Sequence, residues 1–229
     1  MKTSLFAGVA VASCTLSASA GIVASWSMTT AIPASPATTG SNYTYGAADA
    51  GDATAGTSLS GFHALAATTW STPAGNGSTY SFSSNNWSVG DYYQIAVSTA
   101  GFSDISLAWD QTRSSTGPSN FRVDMSTDGT NFSTILASYT IIQAGAAGSG
   151  TLSWSTSAAN YQSAFTTSIA SIAGADNQGS LFFRFVNLST VGTGGTNRVD
   201  NIIVSGTAVP APGALALLGL AGLVGRRRR

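Results

Sequence analysis

Glutamate is absent from this 229-residue chain, and Lys2, Cys14 and His63 are each the single residue of their kind. Charged residues make up 8 % of it, against roughly 25 % in an average soluble protein. Each shortage excludes something. Without Glu and Lys the surface lacks its usual helix formers, which argues against a helix-rich fold. A single Cys cannot form an intrachain disulfide, so a disulfide scaffold is out. One His and one Cys are too few for a zinc-type centre. A Ser-His-Asp hydrolase would have to use His63, yet Gly61-Phe62-His63-Ala64 offers no nucleophile elbow. No stretch keeps a 3.6-residue apolar period over three turns.

The formal charge of zero hides an asymmetry. Five of the nine basic residues sit at the ends, Lys2 and the run Arg226, Arg227, Arg228 and Arg229. Residues 21–209 hold nine Asp and four Arg (Arg113, Arg122, Arg184, Arg198), a formal charge of −5. An acidic, Lys-free body repels phosphate backbones, so nucleic acid is not an expected partner.

What the body does contain is 35 Ser, 28 Thr and 26 Gly in the whole chain, wrapped around short alternating runs. Period-2 patterns predict strands at Ile22–Thr29, Tyr80–Phe82, Tyr92–Thr99, Ile105–Asp110, Phe121–Met125, Phe132–Ile142, Thr151–Trp154, Leu181–Val186 and Arg198–Val204. The polar segment that follows Thr29, to about Thr57, reads as a long loop, and residues 158–173 could hold one short helix. Asp128-Gly129 predicts a tight hairpin turn between Phe121 and Phe132, with Ser126 capping it. The fold class is therefore all-β: a single β-sandwich domain of jelly-roll type over residues 21–208.

The ends carry addresses. Residues 1–20 have the form of a secretory signal peptide: Lys2, an apolar stretch from Leu5 to Val11, and small residues at Ala18 and Ala20 that place signal-peptidase cleavage before Gly21. Val11-Ala12-Ser13-Cys14 resembles a bacterial lipobox, which would instead put a lipid on Cys14. At the other end, Val209, Pro210, Ala211, Pro212 and Gly213 precede an apolar helix through Gly225, and four arginines close the chain. Counted from Gly213 to Gly225, the apolar stretch is 13 residues and about 20 Å long as a helix, short against a hydrocarbon core of ~30 Å, which suits transient inner-membrane insertion. The order of these parts resembles the PEP-CTERM sorting signal, with Ala211 where the family carries its central Glu. The resemblance covers residues 209–229. It implies processing by an exosortase-like enzyme and delivery to the cell surface or extracellular matrix of a Gram-negative bacterium that makes exopolysaccharide.

Within the body, Ser126-x-Asp128-Gly129-x-x-Phe132 is similar to turns of discoidin-like and other carbohydrate-associated sandwiches. Arg184 within Phe182–Phe185, followed by Arg198–Val204, resembles the last two strands of jelly rolls common in PEP-CTERM proteins and in some carbohydrate-binding modules. That resemblance spans about residues 86–206 and implies a structural calcium held by an Asp near the last strand, here Asp200. Asp49 or Asp52 could join it, since calcium takes hard oxygen ligands. The alternative is that Asp200 caps a turn or pairs with Arg198 or Arg184. Sugar platforms need exposed rings, and Trp70, Trp87 and Tyr92, with Tyr43 and Tyr45, are the candidates, while Trp26, Trp109 and Trp154 are assigned to the core. A glycan hydrolase would need two carboxylates. Asp110 and Asp124 are expected on one face of neighbouring strands, with Arg122 pairing Asp110 across the ladder. Three functions follow: an exported, non-enzymatic surface or matrix protein; a carbohydrate-binding module for exopolysaccharide; or a glycan hydrolase.

Overall fold

A computed structural model describes residues 20–34, 37–143, 145, 153–157, 162–191 and 194–210. Strands β1 (Ala20–Trp26), β2 (Thr38–Thr39), β3 (Asn42–Gly46), β4 (Ser58–Phe62), β5 (Thr69–Ser71), β6 (Phe82–Ser84) and β7 (Tyr92–Val97) fill the first half. Strands β8 (Phe102–Arg113), β9 (Asn120–Ser126), β10 (Ser133–Thr140), β11 (Thr166–Ile169), β12 (Leu181–Asn187) and β13 (Asn197–Ala208) fill the second. One sheet runs β11-β8-β13-β6-β5-β2, with β1 also paired to β13; the other runs β10-β9-β12-β7-β4-β3. Every strand pairing is antiparallel. Successive strands from β7 to β9 and from β11 to β13 alternate between the sheets, so the chain wraps the sandwich as a jelly roll does.

Alternation makes the core. Tyr93, Ile95 and Val97 of β7 and Leu181, Phe183 and Phe185 of β12 point inward from one sheet. They meet Ile105, Leu107 and Trp109 of β8 and Val199, Ile202 and Val204 of β13 from the other. At 25 cal/mol per Å² such burial is the main force holding the two layers. Along β13 the alternation slips by one residue. The ladder with β8 shifts between Asp200 and Ile203, and Asn201 takes φ +47°. This bulge turns Asp200 outward while returning Ile202 and Val204 to the core. It also divides the strand's other edge: β6 pairs residues 197–199, and β1 pairs the part from Ile202 onward.

Several expectations need correction. The stretch before Thr57 is not one long loop; β2 and β3 lie in it, and Tyr43 and Tyr45 alternate with Asn42 and Thr44. Residues 163–165 form a single 3-10 turn leading into strand β11, so no α-helix occupies the described part of 158–173. Trp154 lies outside any strand. The β9–β10 hairpin exists, but six residues link its strands. Only Gly129 of the Asp128-Gly129 pair takes a positive φ, +74°. The loop is instead organised by Asp128, whose Oδ1 accepts from the backbone N–H groups of Thr130 and Asn131 at 2.8 Å. Ser126 Oγ accepts from Gly129 N at 2.9 Å. Bonds from the Asn131 side chain first, then from the backbone of Asn131 and Thr130, hold the Asp128 carboxyl well below the usual carboxylate range.

The body ends at a defined place: β13 stops at Ala208, and Val209 N donates to Gly101 O at 2.8 Å. Residues 1–19 and 211–229, including Ala18, Ala211, Pro212, Gly213, the expected tail helix and Arg226 to Arg229, lie outside the described residues. Among the described residues no helix is long and apolar enough to cross a membrane.

Candidate functional site

The outward side chains of β4, β7, β12 and β9 fall into rows because their registers are fixed. Phe62, Tyr92, Val186 and Arg122 stand opposite one another in one row. Ser60, Gln94, Arg184 and Asp124 form the next. Across these rows runs a ribbon of flat groups. Phe62 and Tyr92 stack with ring centroids 4.9 Å apart at 26°. The Arg184 guanidinium carbon lies 4.3 Å from the Tyr92 centroid and 3.5 Å from that of Phe132. A guanidinium between two rings gains cation–π attraction and keeps its edge free for donation. Arg184 Nε donates to Gln94 Oε1 at 2.8 Å, which fixes both planes.

Beside the ribbon, Arg122 Nε reaches both oxygens of Asp124, at 3.0 and 2.9 Å. Thr134 Oγ1 donates to Asp124 Oδ1 at 2.7 Å. Arg122 was expected to pair with Asp110, and the fold prevents it. Strands β8 and β9 belong to different sheets, so Asp110 and Asp124 occupy opposite faces of the sandwich and cannot flank one bond. The result is a half-buried apolar ribbon edged by oriented amide, guanidinium and carboxylate groups. Such a surface can stack on a flat, weakly apolar ligand and bond to hydroxyls around its rim.

Of the rings proposed from sequence, Tyr92 is in this ribbon and Trp70 and Trp87 are not. Trp70 is 1 % exposed and Trp87 4 %. Their alternation was hidden because β5 is only three residues long and Trp87 lies between strands. Each indole still finds an acceptor: Trp70 Nε1 donates to Gly40 O at 2.8 Å and Trp87 Nε1 to Ser84 O at 3.0 Å. Tyr43 and Tyr45 pack on the core against Trp70 and Phe82. Trp26 and Trp109 are fully buried as expected, whereas Trp154 covers the outside of the first sheet, edge-on to Phe165 at 6.0 Å. Phe62, Gln94, Phe132 and Arg184 are site residues that the sequence reading did not choose. The signal was present in the Tyr92-Gln94-Ala96 outward alternation, but which strands flank it depends on pairing.

Under Trp70 and Trp87 lies a group with relay geometry. Asp91 Oδ2 is 3.2 Å from His63 Nδ1, and His63 Nε2 is 3.1 Å from Ser84 Oγ. Ser84 is 1 % exposed and its hydroxyl is shared with Tyr93 OH at 3.2 Å. A nucleophile must be reachable by its substrate, and this serine is sealed in the core. Burial lowers the His63 pKa, only partly offset by Asp91, so the ring is held neutral as a polar strut.

The calcium candidates have different hydrogen-bond partners. Asp49 accepts from Ser27 N and Thr29 Oγ1, both at 2.7 Å, and Asp52 is exposed. Asp200 is fully buried beside its cross-strand partner Asp110. Its Oδ2 accepts from Asn76 N at 2.7 Å and Ser78 Oγ at 2.5 Å, and its Oδ1 from Asn201 N at 2.8 Å. Asp110 accepts from Asn76 Nδ2, Asn201 Nδ2 and Thr166 Oγ1. Neither aspartate has an ion pair with Arg198 or Arg184 within 4.0 Å. All four carboxylate oxygens are met by N–H or O–H donors. Among the described residues no three His, Cys, Asp or Glu side chains gather as a metal group.

No protein-family model matches the chain, and no curated protein matches it. Among solved structures it is similar to a cleaved adhesin domain of Lys-gingipain from Porphyromonas gingivalis, at 14 % identity and TM-score 0.43, covering 82 % of this chain and 99 % of that one. It is also similar to modules of the Clostridium thermocellum endo-1,4-beta-D-xylanase 10B complexed with xylohexaose, at 12 % identity and TM-score 0.42, covering 83 % and 29 %. A third is TmCBM61 in complex with beta-1,4-galactotriose, at 10 % identity and TM-score 0.37, covering 66 % and 88 %. Likenesses at this level do not extend to ligand or activity, which must be read from this chain's own side chains.

Proposed function

We propose that the protein is an exported glycan-binding β-sandwich that acts at the cell surface or in the extracellular matrix. The observation that carries glycan binding is the ribbon Phe62–Tyr92–Arg184–Phe132 on the outer face of the second sheet, edged by Gln94 and the Arg122–Asp124 pair. A sugar ring lays its C–H face across the upright edges of this column, since Phe62 covers one face of Tyr92 and Arg184 the other, and Gln94 and Arg122 serve the hydroxyls. Affinity electrophoresis through gels holding neutral polysaccharides tests this. Wild type is retarded and Tyr92→Ala migrates at least tenfold closer to free mobility. Equal retardation of the two, with folding checked by circular dichroism, removes the reading.

Export rests on the sequence ends. In this proposal the N-terminal signal drives translocation and signal peptidase cuts before Gly21. The PEP-CTERM-like tail then holds the chain at the inner membrane until an exosortase-like enzyme processes it near Pro210-Ala211-Pro212. Intact mass and fractionation of the native protein read both events. A mature chain that still starts at Met1 and ends in four arginines overturns it.

A further inference from the structure

The two ends of the body meet in one ladder. Strands β1 and β13, the first and last in chain order, pair antiparallel, with Ala20 opposite Thr207, Gly21 opposite Gly206 and Ile22 opposite Ser205. The bond between Ala20 and Gly21, where the signal-peptide reading places the cut, therefore lies inside a β-ladder. Strand β1 is held from other sides as well. Asp52 N donates to Ile22 O at 3.0 Å and Ala53 N to Val23 O at 2.8 Å. Val23, Ala24 and Trp26 are fully buried, so the core fixes the strand too. The partner strand lies close to its neighbours: a Cβ on Gly206 would sit 2.6 Å from Ile105 Cδ1. The C-terminal exit, three residues past Thr207, is different. Strand β13 stops at Ala208, Val209 is 51 % exposed, and Pro210 has no N–H with which to extend a ladder. One corner of the sandwich thus holds both ends, and only one of them is bound into the sheet.

An enzyme that takes hold of an extended segment does so through that segment's own N–H and C=O groups. A peptide bond already in a ladder is therefore cut only from states in which the ladder has opened. Resting on the export reading above, we propose that docking of β13 closes the Ala20–Gly21 bond to signal peptidase, so that this cut has to precede completion of the first sheet. The cut is a hydrolysis: a water oxygen adds to the Ala20 carbonyl carbon, the C–N bond to Gly21 breaks, and Gly21 keeps the amine. Because β13 is the last strand in chain order, β1 has no partner along this edge until residues 202–207 arrive. A chain whose β13 docks before the cut retains residues 1–20. Processing of the tail has no such limit, since the chain leaves the ladder after Ala208, and it can follow on the folded body.

Incubating the purified, refolded full chain with a bacterial signal peptidase in detergent tests this, because no translocation is present to set the order. Three chains are compared. The first is wild type. The second is Val204→Asp, which puts a carboxylate at a fully buried position of β13 and keeps that strand from docking. The third has Gly-Ser-Gly-Ser-Gly-Ser inserted between Ala20 and Gly21, which moves the cut about 20 Å off the ladder while β1 keeps residues 21–26. Circular dichroism shows which chains are folded, and mass spectrometry reads the new N-terminus. Folded wild type should be cut at least tenfold more slowly than Val204→Asp, and the folded spacer chain at least tenfold faster than wild type. Folded wild type cut as fast as Val204→Asp, or a folded spacer chain cut as slowly as wild type, overturns the closure and leaves the signal-peptide reading standing. If none of the three is cut after Ala20, that reading falls and the closure with it.

Discussion

Replacing Asp200 with Asn should change how stability depends on pH, in a direction opposite to ordinary acid lability. Burial pushes the Asp200 pKa up to about 7 from its usual 3.8; bonds from Ser78 and from the backbone of Asn76 and Asn201 hold it down in part, and neighbouring Asp110 pushes it up. The folded state therefore keeps a proton that the unfolded chain has released between these two values. Stability from this group is present in acid and lost as pH rises through about 7. With one proton linked, moving from pH 8 to pH 6 adds about 1.4 kcal/mol to folding. For a chain of this size that is roughly 3–5 °C in melting temperature. His63 works against it: its pKa is lowered by burial, so stability falls as the unfolded imidazole takes up a proton below its ordinary 6.5. A wild-type curve alone thus mixes two signs, and the variant separates them. Thermal melts of wild type and Asp200→Asn at pH 8, 7 and 6 should show the difference between them moving by roughly 3–5 °C in favour of wild type on acidification. Parallel curves, or a shift of the opposite sign, would refute the reasoning.

Other expectations follow from single contacts. A Cβ on Gly61 would sit 2.2 Å from the Trp70 ring, which is buried and cannot retreat. Gly61→Ala should cost roughly 1–3 kcal/mol in urea unfolding, and an unchanged midpoint would count against the packing described. Because donors surround Asp110 and Asp200, a chelator and added calcium should each leave the melting temperature within error; a rise with calcium would show that the cluster rearranges to hold it. Asp128→Ala removes the acceptor for the Thr130 and Asn131 amides, so the hairpin loop should lose hydrogen-exchange protection at Thr130 and Asn131 while the sheets keep theirs.

How much could be read beforehand differs from element to element. The long alternating runs at β7, β8, β9, β12 and β13 stood out because a half-buried strand repeats every two residues. Strands β2 and β5, two and three residues long, carry too few positions for a period to show. That is why Trp70 looked like a loop aromatic and is a core one. In the candidate site, Tyr92 was chosen from its outward parity. Arg184 was noted only as part of a strand, because its place between Tyr92 and Phe132 joins residues 92, 132 and 184 through two strand pairings and a loop.

Composition and period by themselves determined an all-β, acidic, disulfide-free body and the outward or inward sense of most long strands, since burial of alternate side chains is a local property of the chain. Which strands became neighbours was decided only in three dimensions. Pairing between distant segments put Asp110 and Asp124 on opposite faces and gave Arg122 to Asp124. The β13 bulge at Asn201 then lets Asp200 face outward while Ile202 and Val204 face the core, because one inserted residue reverses the parity of everything beyond it.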